Sequence, residues 1–353
     1  MNEASSGRAP SRPDQPPRPS PPKRGPLVDT LGRVHRALRL SVTDRCNLRC
    51  RYCMPAEGMP WIPSEEILDD DELVALVALL SEMGVSQLRI TGGEPLVRPG
   101  LAGLVARLHE LPGIAEISLT TNAVLLEGAI DDLVEAGLDR VNVSLDSLDP
   151  DRFAAVTRRR DLGRALAGLA ACERHAALRP IKVNVVATRG LSEPDVLPLA
   201  ELARERPYVV RFIEVMPLDA SRTWQREDVL SGEELRAMIG ARWPLVARER
   251  ERPSAPATTW EFADGAGELQ FVSSVTEPFC ASCDRLRLTA DGQLRTCLFA
   301  EWETDLRTAL RSDGSDGVVE RAIRDAVHAK EAGHGLSDPS YRYEGRPMSM
   351  IGG

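Results

Sequence analysis

No stretch of the 353 residues approaches the roughly 18 consecutive apolar residues of a membrane-spanning helix, and the N-terminus lacks the apolar core of a secretory signal. The expectation is therefore a cytoplasmic protein with no membrane partner. Positive charge is also short. With 44 Lys and Arg against 53 Asp and Glu, the net charge is −9, which excludes broad electrostatic binding to nucleic acid. A G-x-x-x-x-G-K-[ST] loop is missing as well, so a nucleotide triphosphate could not be cradled in the P-loop manner, and Arg and Lys clamps would have to hold it. Histidine is scarce, at five, and none lies near enough in sequence to complete a zinc set with the cysteines.

What is present suffices for a substantial core: 42% of residues are hydrophobic and 27% charged, enough for one large α/β domain and an appendage. Residues 1–26, dense in Pro, Ser and Arg and without hydrophobic period, read as a disordered tail; so much Pro opposes the amphipathic helix of an organelle presequence. From residue 37, β-type runs at 37–42, 87–91, 116–121, 140–145, 181–187 and 209–214 alternate with helical stretches beginning near Asp70, Pro99, Glu127, Asp161 and Pro194. Six βα units are too few for a closed eight-unit barrel, so residues 27–217 are expected to form a partial, TIM-like βα barrel. After Met216 the rhythm stops. Residues 218–353 read as an α+β extension closing the barrel mouth, with strands at 259–262 and 269–275, a hairpin across Ala290, Asp291 and Gly292, and helices near 304–311 and 318–330.

Six of the seven cysteines fall into two tight groups, and in a reducing compartment such groups point to metal or catalytic thiols rather than disulfides. Cys46, Cys50 and Cys53 form C-x3-C-x2-C directly after the first strand. Three thiolates on one loop can converge on an iron-sulfur cluster and leave one iron open; the alternatives are structural zinc or unliganded buried thiols. Cys280, Cys283 and Cys297 repeat the triad, the hairpin folding Cys297 back toward the first pair, with a zinc knuckle as the alternative. Arg285 and Arg287 follow on one face of a strand, where two guanidiniums suit an anion such as phosphate. Cys172, in an apolar helical run, is given no role.

The run TDRCNLRCRYCMP, with Tyr52 before the last cysteine and the TGGEP turn (residues 91–95) one βα unit later, resembles the radical S-adenosylmethionine superfamily. Two triads in this order, with FIEVMP at 212–217 and the terminal Gly352-Gly353, resemble one of its families, the GTP 3′,8-cyclases of molybdenum cofactor biosynthesis. The resemblance implies a lyase with two [4Fe-4S] clusters. An adenosyl radical from S-adenosylmethionine would take the 3′ hydrogen of GTP, and ring closure on C8 would give (8S)-3′,8-cyclo-7,8-dihydroguanosine 5′-triphosphate. It further implies Tyr52, Gly93, Ser144 and Met216 as contacts of S-adenosylmethionine. Arg39, Arg89, Thr120, Lys182, Arg285, Leu286 and Arg287 would contact GTP, and Gly352, Gly353, Arg285 and Arg287 would serve catalysis. As partners it implies a reductase or a flavodoxin- or ferredoxin-type electron donor, a downstream pterin-forming enzyme and a homodimer. A radical enzyme acting on a peptide or RNA, and a structural zinc module, remain the competing readings.

Overall fold

The computed structural model describes residues 21–250, 252–312, 316–338 and 340–353. The tail expected over residues 1–26 thus lies outside the described residues up to position 20; by Gly25 the chain is held, its carbonyl accepting from Arg324 Nη1 at 3.0 Å.

The strands are β1 (Ala37–Ser41), β2 (Gln87–Thr91), β3 (Glu116–Thr121), β4 (Arg140–Ser144), β5 (Ile181–Ala187), β6 (Tyr208–Glu214), β7 (Leu245–Ala247), β8 (Thr258–Phe262), β9 (Glu268–Val272), β10 (Arg285–Leu288), β11 (Gln293–Arg295) and β12 (Thr304–Asp305). β1 to β6 run parallel in sequence order, as βα units with helical crossovers must. Each strand alternates. On β1 and β2, Leu38, Leu40, Leu88 and Ile90 are fully buried against the helices, while Arg39 and Arg89 point the other way, into the barrel.

The helices follow from their ends and their stripes. Helix Asp70–Glu82 opens on a capping box between Asp69 and Glu72 and buries Leu73, Leu76, Val77 and Leu80, the i, i+3, i+4, i+7 face. Between β4 and β5 lie two helices where one was expected. Helix Pro150–Thr157 is started by the Asp149 cap and Pro150, and precedes Leu162–Ala171. Cys172 ends the second, buried in the core with its Sγ 3.4 Å from Gly168 O.

The twelve strands form one sheet, ordered β12-β11-β10-β1-β2-β3-β4-β5-β6-β9-β8-β7. The C-terminal strands therefore extend the barrel at both edges: β9 pairs in parallel with β6, and β10 in parallel with β1. β7 and β12 stand at opposite ends of the strand order, so the barrel is open, as six units imply. Helix Gly232–Gly240, capped by Ser231 and Glu234, was not expected from the sequence. Among the described residues no helix is long and apolar enough to cross a membrane.

Candidate active site

The loop after β1 is held in shape by backbone. Gly93 N donates to Thr43 O and Glu94 N to Arg45 O, each at 2.8 Å, so the TGGEP turn lies flat against the cysteine loop. A Cβ on Gly93 would come within 2.5 Å of both Asp44 O and Arg45 O, so only glycine allows this approach. Glu94 ties in a third loop: its buried carboxylate accepts from Thr121 Oγ1 and Asn122 N at 2.7 Å and from Leu96 N at 3.1 Å. Burial nevertheless pushes its pKa up to about 7. Tyr52 donates to Asp146 Oδ2 at 2.6 Å, and Val186 N donates to the other oxygen at 2.8 Å. Asp146 is likewise raised, to about 6, by burial.

Burial also raises the first three thiols, Cys46 to about 11, Cys53 to about 12 and Cys50 well above the ordinary range. Such thiols ionise readily only beside a strong positive centre, which an iron-sulfur cluster supplies. All seven cysteines are free of disulfides, and both triads line one cavity, so the donor set fits two clusters.

The second triad is assembled from separated pieces. Cys280 lies in the short helical turn Cys280–Ser282, Cys283 just before β10 and Cys297 just after β11. The hairpin between these strands turns at Gly292, φ +78°, where a Cβ would stand 2.7 Å from Arg307 Cβ. Arg33 Nη1 donates to Cys280 O at 2.7 Å; Lys330 Nζ reaches Arg285 O at 2.9 Å and stands 3.6 Å from Cys283 Sγ. Burial would raise the Cys283 thiol, but Arg285 and Lys330 outweigh it and bring the pKa down to about 7. Cys297 is raised by burial.

Between the triads the sheet places Arg287, Arg39 and Arg89 side by side at one register. Burial lowers their pKa values, Arg89 to about 10 and Arg287 to about 9, with Arg285 adding repulsion; Arg39 is lowered by burial and then by Arg287 and Arg89. Among the described residues no carboxylate forms an ion pair with these three. Arg287 is buried and Arg39 and Arg89 half-buried, and cations so enclosed call for an anionic ligand. Thr120 Oγ1 and Asn184 Oδ1, both on the cavity wall, are buried without a hydrogen-bond partner among the described residues, as a polar ligand would require.

The C-terminus enters this cavity. Arg287 Nη1 donates to Gly352 O at 2.6 Å, and Thr91 Oγ1 donates to Gly353 O. Gly352 has φ +86°, and a Cβ there would stand 2.8 Å from Ser41 Cβ. Behind the tip, Arg346 grips Asp291 with two hydrogen bonds, of 3.0 and 2.9 Å, and reaches Glu303 at 3.1 Å; Arg295 pairs with Glu303 and donates to Tyr343 Oη at 2.9 Å.

The cavity, of about 280 Å³, is lined by Arg39, Tyr52, Arg89, Gly93, Thr120, Ser144, Met216, Arg285, Arg287, Gly353 and all six triad cysteines. Gly352 is not itself on the wall but is held against it through Arg287, and two other expected residues stand apart from the cavity. Leu286 is fully buried in the hydrophobic core, on the opposite face of β10 from its arginine neighbours. Lys182, half-buried at the register of Asn142 and Val209, is not on the cavity wall. Sequence reading passed over Asp146, Asn184, Arg211 and Lys330. Asn184 and Arg211 had a signal, since each lies on a strand at a position facing the barrel.

Two family models divide the chain: Radical SAM superfamily over residues 40–203 and Molybdenum Cofactor Synthesis C over residues 208–336. A GTP 3′,8-cyclase of Streptomyces coelicolor is 50% identical over 329 residues, 93% of this chain and 96% of the relative. The chain belongs to the GTP 3′,8-cyclase family. Another member, GTP 3′,8-cyclase 2 of Mycobacterium tuberculosis (strain ATCC 25618 / H37Rv), is 48% identical over 337 residues, 94% of this chain and 93% of that one. Among solved structures, Streptococcus suis SuiB bound to S-adenosylmethionine superposes with a TM-score of 0.54 at 15% identity, covering 86% of this chain and 68% of that one. At that identity the likeness is one of fold alone.

Proposed function

We propose that this chain is a cytoplasmic GTP 3′,8-cyclase that converts GTP to 3′,8-cyclo-7,8-dihydro-GTP, the first step of molybdenum cofactor biosynthesis. The observation that carries the reading is one cavity walled by two cysteine triads, crossed by a row of arginines at one register and entered by the Gly-Gly terminus. When bound, [4Fe-4S] clusters held by the two triads would supply the electron that cleaves S-adenosylmethionine and a site for the purine.

The protein's own work is placement. Cys46, Cys50 and Cys53 hold the first cluster, and Gly93, Tyr52, Ser144 and Met216 position S-adenosylmethionine beside it. The Asp146 carboxylate fixes the Tyr52 hydroxyl from behind. Cys280, Cys283 and Cys297 hold the second cluster, while Arg39, Arg89, Arg285 and Arg287, with Thr120, bind the triphosphate-bearing substrate. Lys182 and Leu286, which the family resemblance also implies as GTP contacts, stand apart from this cavity. Holding two reacting carbons close supplies much of the rate advantage. The terminal glycines, free of side chains, set backbone groups where charge develops.

Residues 27–217 and 218–353 act as two functional units, one for each cluster. A flavodoxin-, ferredoxin- or reductase-type donor, a pterin-forming enzyme that takes the product, and a homodimeric state complete the proposal. The test is anaerobic incubation of reconstituted protein with GTP, S-adenosylmethionine and a reductant. The expected outcome is 5′-deoxyadenosine together with a GTP-derived cyclic product. Deoxyadenosine alone would leave a radical enzyme with a different substrate.

A further inference from the structure

We infer that the outer face of the first cysteine loop is the docking surface for a small acidic protein that carries one electron. The inference rests on the proposed function, because a cluster that must be reduced needs a place where the reductant can approach. On a chain with 44 basic against 53 acidic residues, the stretch 45–51 holds Arg45, Arg49 and Arg51 and no carboxylate, interleaved with Cys46 and Cys50. Arg49 N donates to Thr157 O and Arg51 N to Val156 O, each at 3.0 Å, which lays this loop along the end of helix Pro150–Thr157. The residues that follow that helix are Arg158, Arg159 and Arg160.

The arginines divide by task. Arg158 Nη1 donates to Arg49 O at 3.0 Å and Met54 O at 2.7 Å; Arg49 Nη1 donates to Cys46 O and Leu48 O, each at 2.8 Å. These two brace the loop. Arg45, Arg51, Arg159 and Arg160 are exposed, and bracing does not account for them. Among the described residues Arg45, Arg51 and Arg159 have no ion pair. Arg160 meets Asp151 at 3.2 Å with its side chain 79% exposed, so that pair is largely screened. Like charges gathered in water repel one another, and an anionic partner relieves that repulsion.

The position favours an electron carrier over nucleic acid. Net charge is −9, and the patch is confined to two adjoining loops rather than a long basic track. Arg51 is the chain neighbour of Cys50, about 3.8 Å away along the backbone, so a partner touching it stands next to a cluster ligand. Electron-transfer encounters are small, transient and steered by charge, which a compact patch suits. One electron leaves the carrier's reduced cofactor and enters the first cluster, and the oxidised carrier departs.

The test uses the reconstituted holoenzyme, flavodoxin as probe and the variant R51E/R159E/R160E, with R51Q/R159Q/R160Q as a milder companion. Flavodoxin affinity is titrated at low and high salt, and deoxyadenosine formation is timed with reduced flavodoxin and, separately, with dithionite. The expected result is an affinity at least about tenfold weaker for the Glu variant, intermediate for the Gln variant, and weakened in wild type by salt. The flavodoxin-supported rate falls in parallel, while the dithionite-supported rate stays at wild type. Unchanged affinity and rate would overturn the inference, as would an equal loss with both reductants, which would make the patch part of the loop's architecture. So would preferential binding of a short DNA duplex that the same reversals abolish. A wild type that makes no deoxyadenosine even with dithionite would instead overturn the proposed function, and the flavodoxin titration would still decide the surface.

Discussion

Cys46, Cys50 and Cys53 come from a single loop, closed by backbone hydrogen bonds to the neighbouring Gly93 and Glu94 turn, whereas Cys280, Cys283 and Cys297 are gathered from the two ends of a hairpin. The electrostatics differ in the same way. The first thiols are raised by burial, while Cys283 is drawn down by Arg285 and Lys330, and Arg33 holds the chain at Cys280. The first site is a self-contained unit that needs only its metal to be balanced. The second is built among cations and is suited to a ligand that brings negative charge. The terminal glycines bridge them, with Thr91 on β2 holding Gly353 and Arg287 on β10 holding Gly352.

The largest effect should come from breaking the first triad. Cys50→Ala is expected to reduce deoxyadenosine formation to the uncatalysed background. Cys283→Ala should keep that cleavage within about tenfold while losing the cyclic product, the protein having lost its substrate platform but not its radical source. Product analysis by liquid chromatography compares the two; equal loss of cleavage would remove the division of labour.

Next comes the bridge. In Gly352→Ala the new methyl meets Ser41 Cβ at 2.8 Å in a backbone conformation that L-residues disfavour. Cyclisation should fall by about 10²-fold, the scale of losing preorganised donors, with iron content and GTP affinity close to wild type. Normal product formation, or a matching loss of iron, would count against a tail that acts on the reacting atoms.

Arg287→Ala removes both a buried cation and the tail's anchor. Its charge-assisted hydrogen bonds should cost roughly 1.5–3 kcal/mol, about 10- to 150-fold in GTP affinity. Binding of S-adenosylmethionine should change little. Equilibrium titration of both ligands checks the contrast.

The last effect is on stability rather than on turnover, and concerns the support beneath the second triad. His35 is fully buried beside Asp29, and its pKa is lowered from 6.5 to about 4 by burial, with Lys330 and Arg33 adding to the effect against the pull of Asp29. An unfolded chain therefore binds this proton near pH 6.5 and the folded chain only near pH 4. Stability from this group is complete above pH 6.5 and is lost as pH falls toward 4, by roughly 3 kcal/mol in all. Thermal melts across that window should show a shallower slope for His35→Gln than for wild type. Identical slopes would place the acid sensitivity elsewhere.

Much of this site could be read from local sequence because its first half is local. The C-x3-C-x2-C loop, the Gly-Gly turn and the alternation that sets Arg285 beside Arg287 all act over a few residues, and three of the six barrel strands have the expected bounds. The same alternation turns Leu286 away from the ligand, a consequence that family analogy obscured. What stayed hidden depends on long-range register. Nothing near β9 or β10 tells which edge of the sheet each will join, and Lys330 reaches Cys283 from 47 positions along the chain. Asp146 was hidden for a different reason: a carboxylate in a loop reads as solvated until a buried Tyr52 hydroxyl is found against it.

The most direct test is Mössbauer spectroscopy with iron analysis on anaerobically reconstituted wild type and on two variants, each with one triad replaced by alanine. The expected result is two [4Fe-4S] clusters and about eight irons in wild type, and one cluster in each variant. A single cluster in wild type, or zinc in either triad, would contradict two open-iron sites facing one cavity.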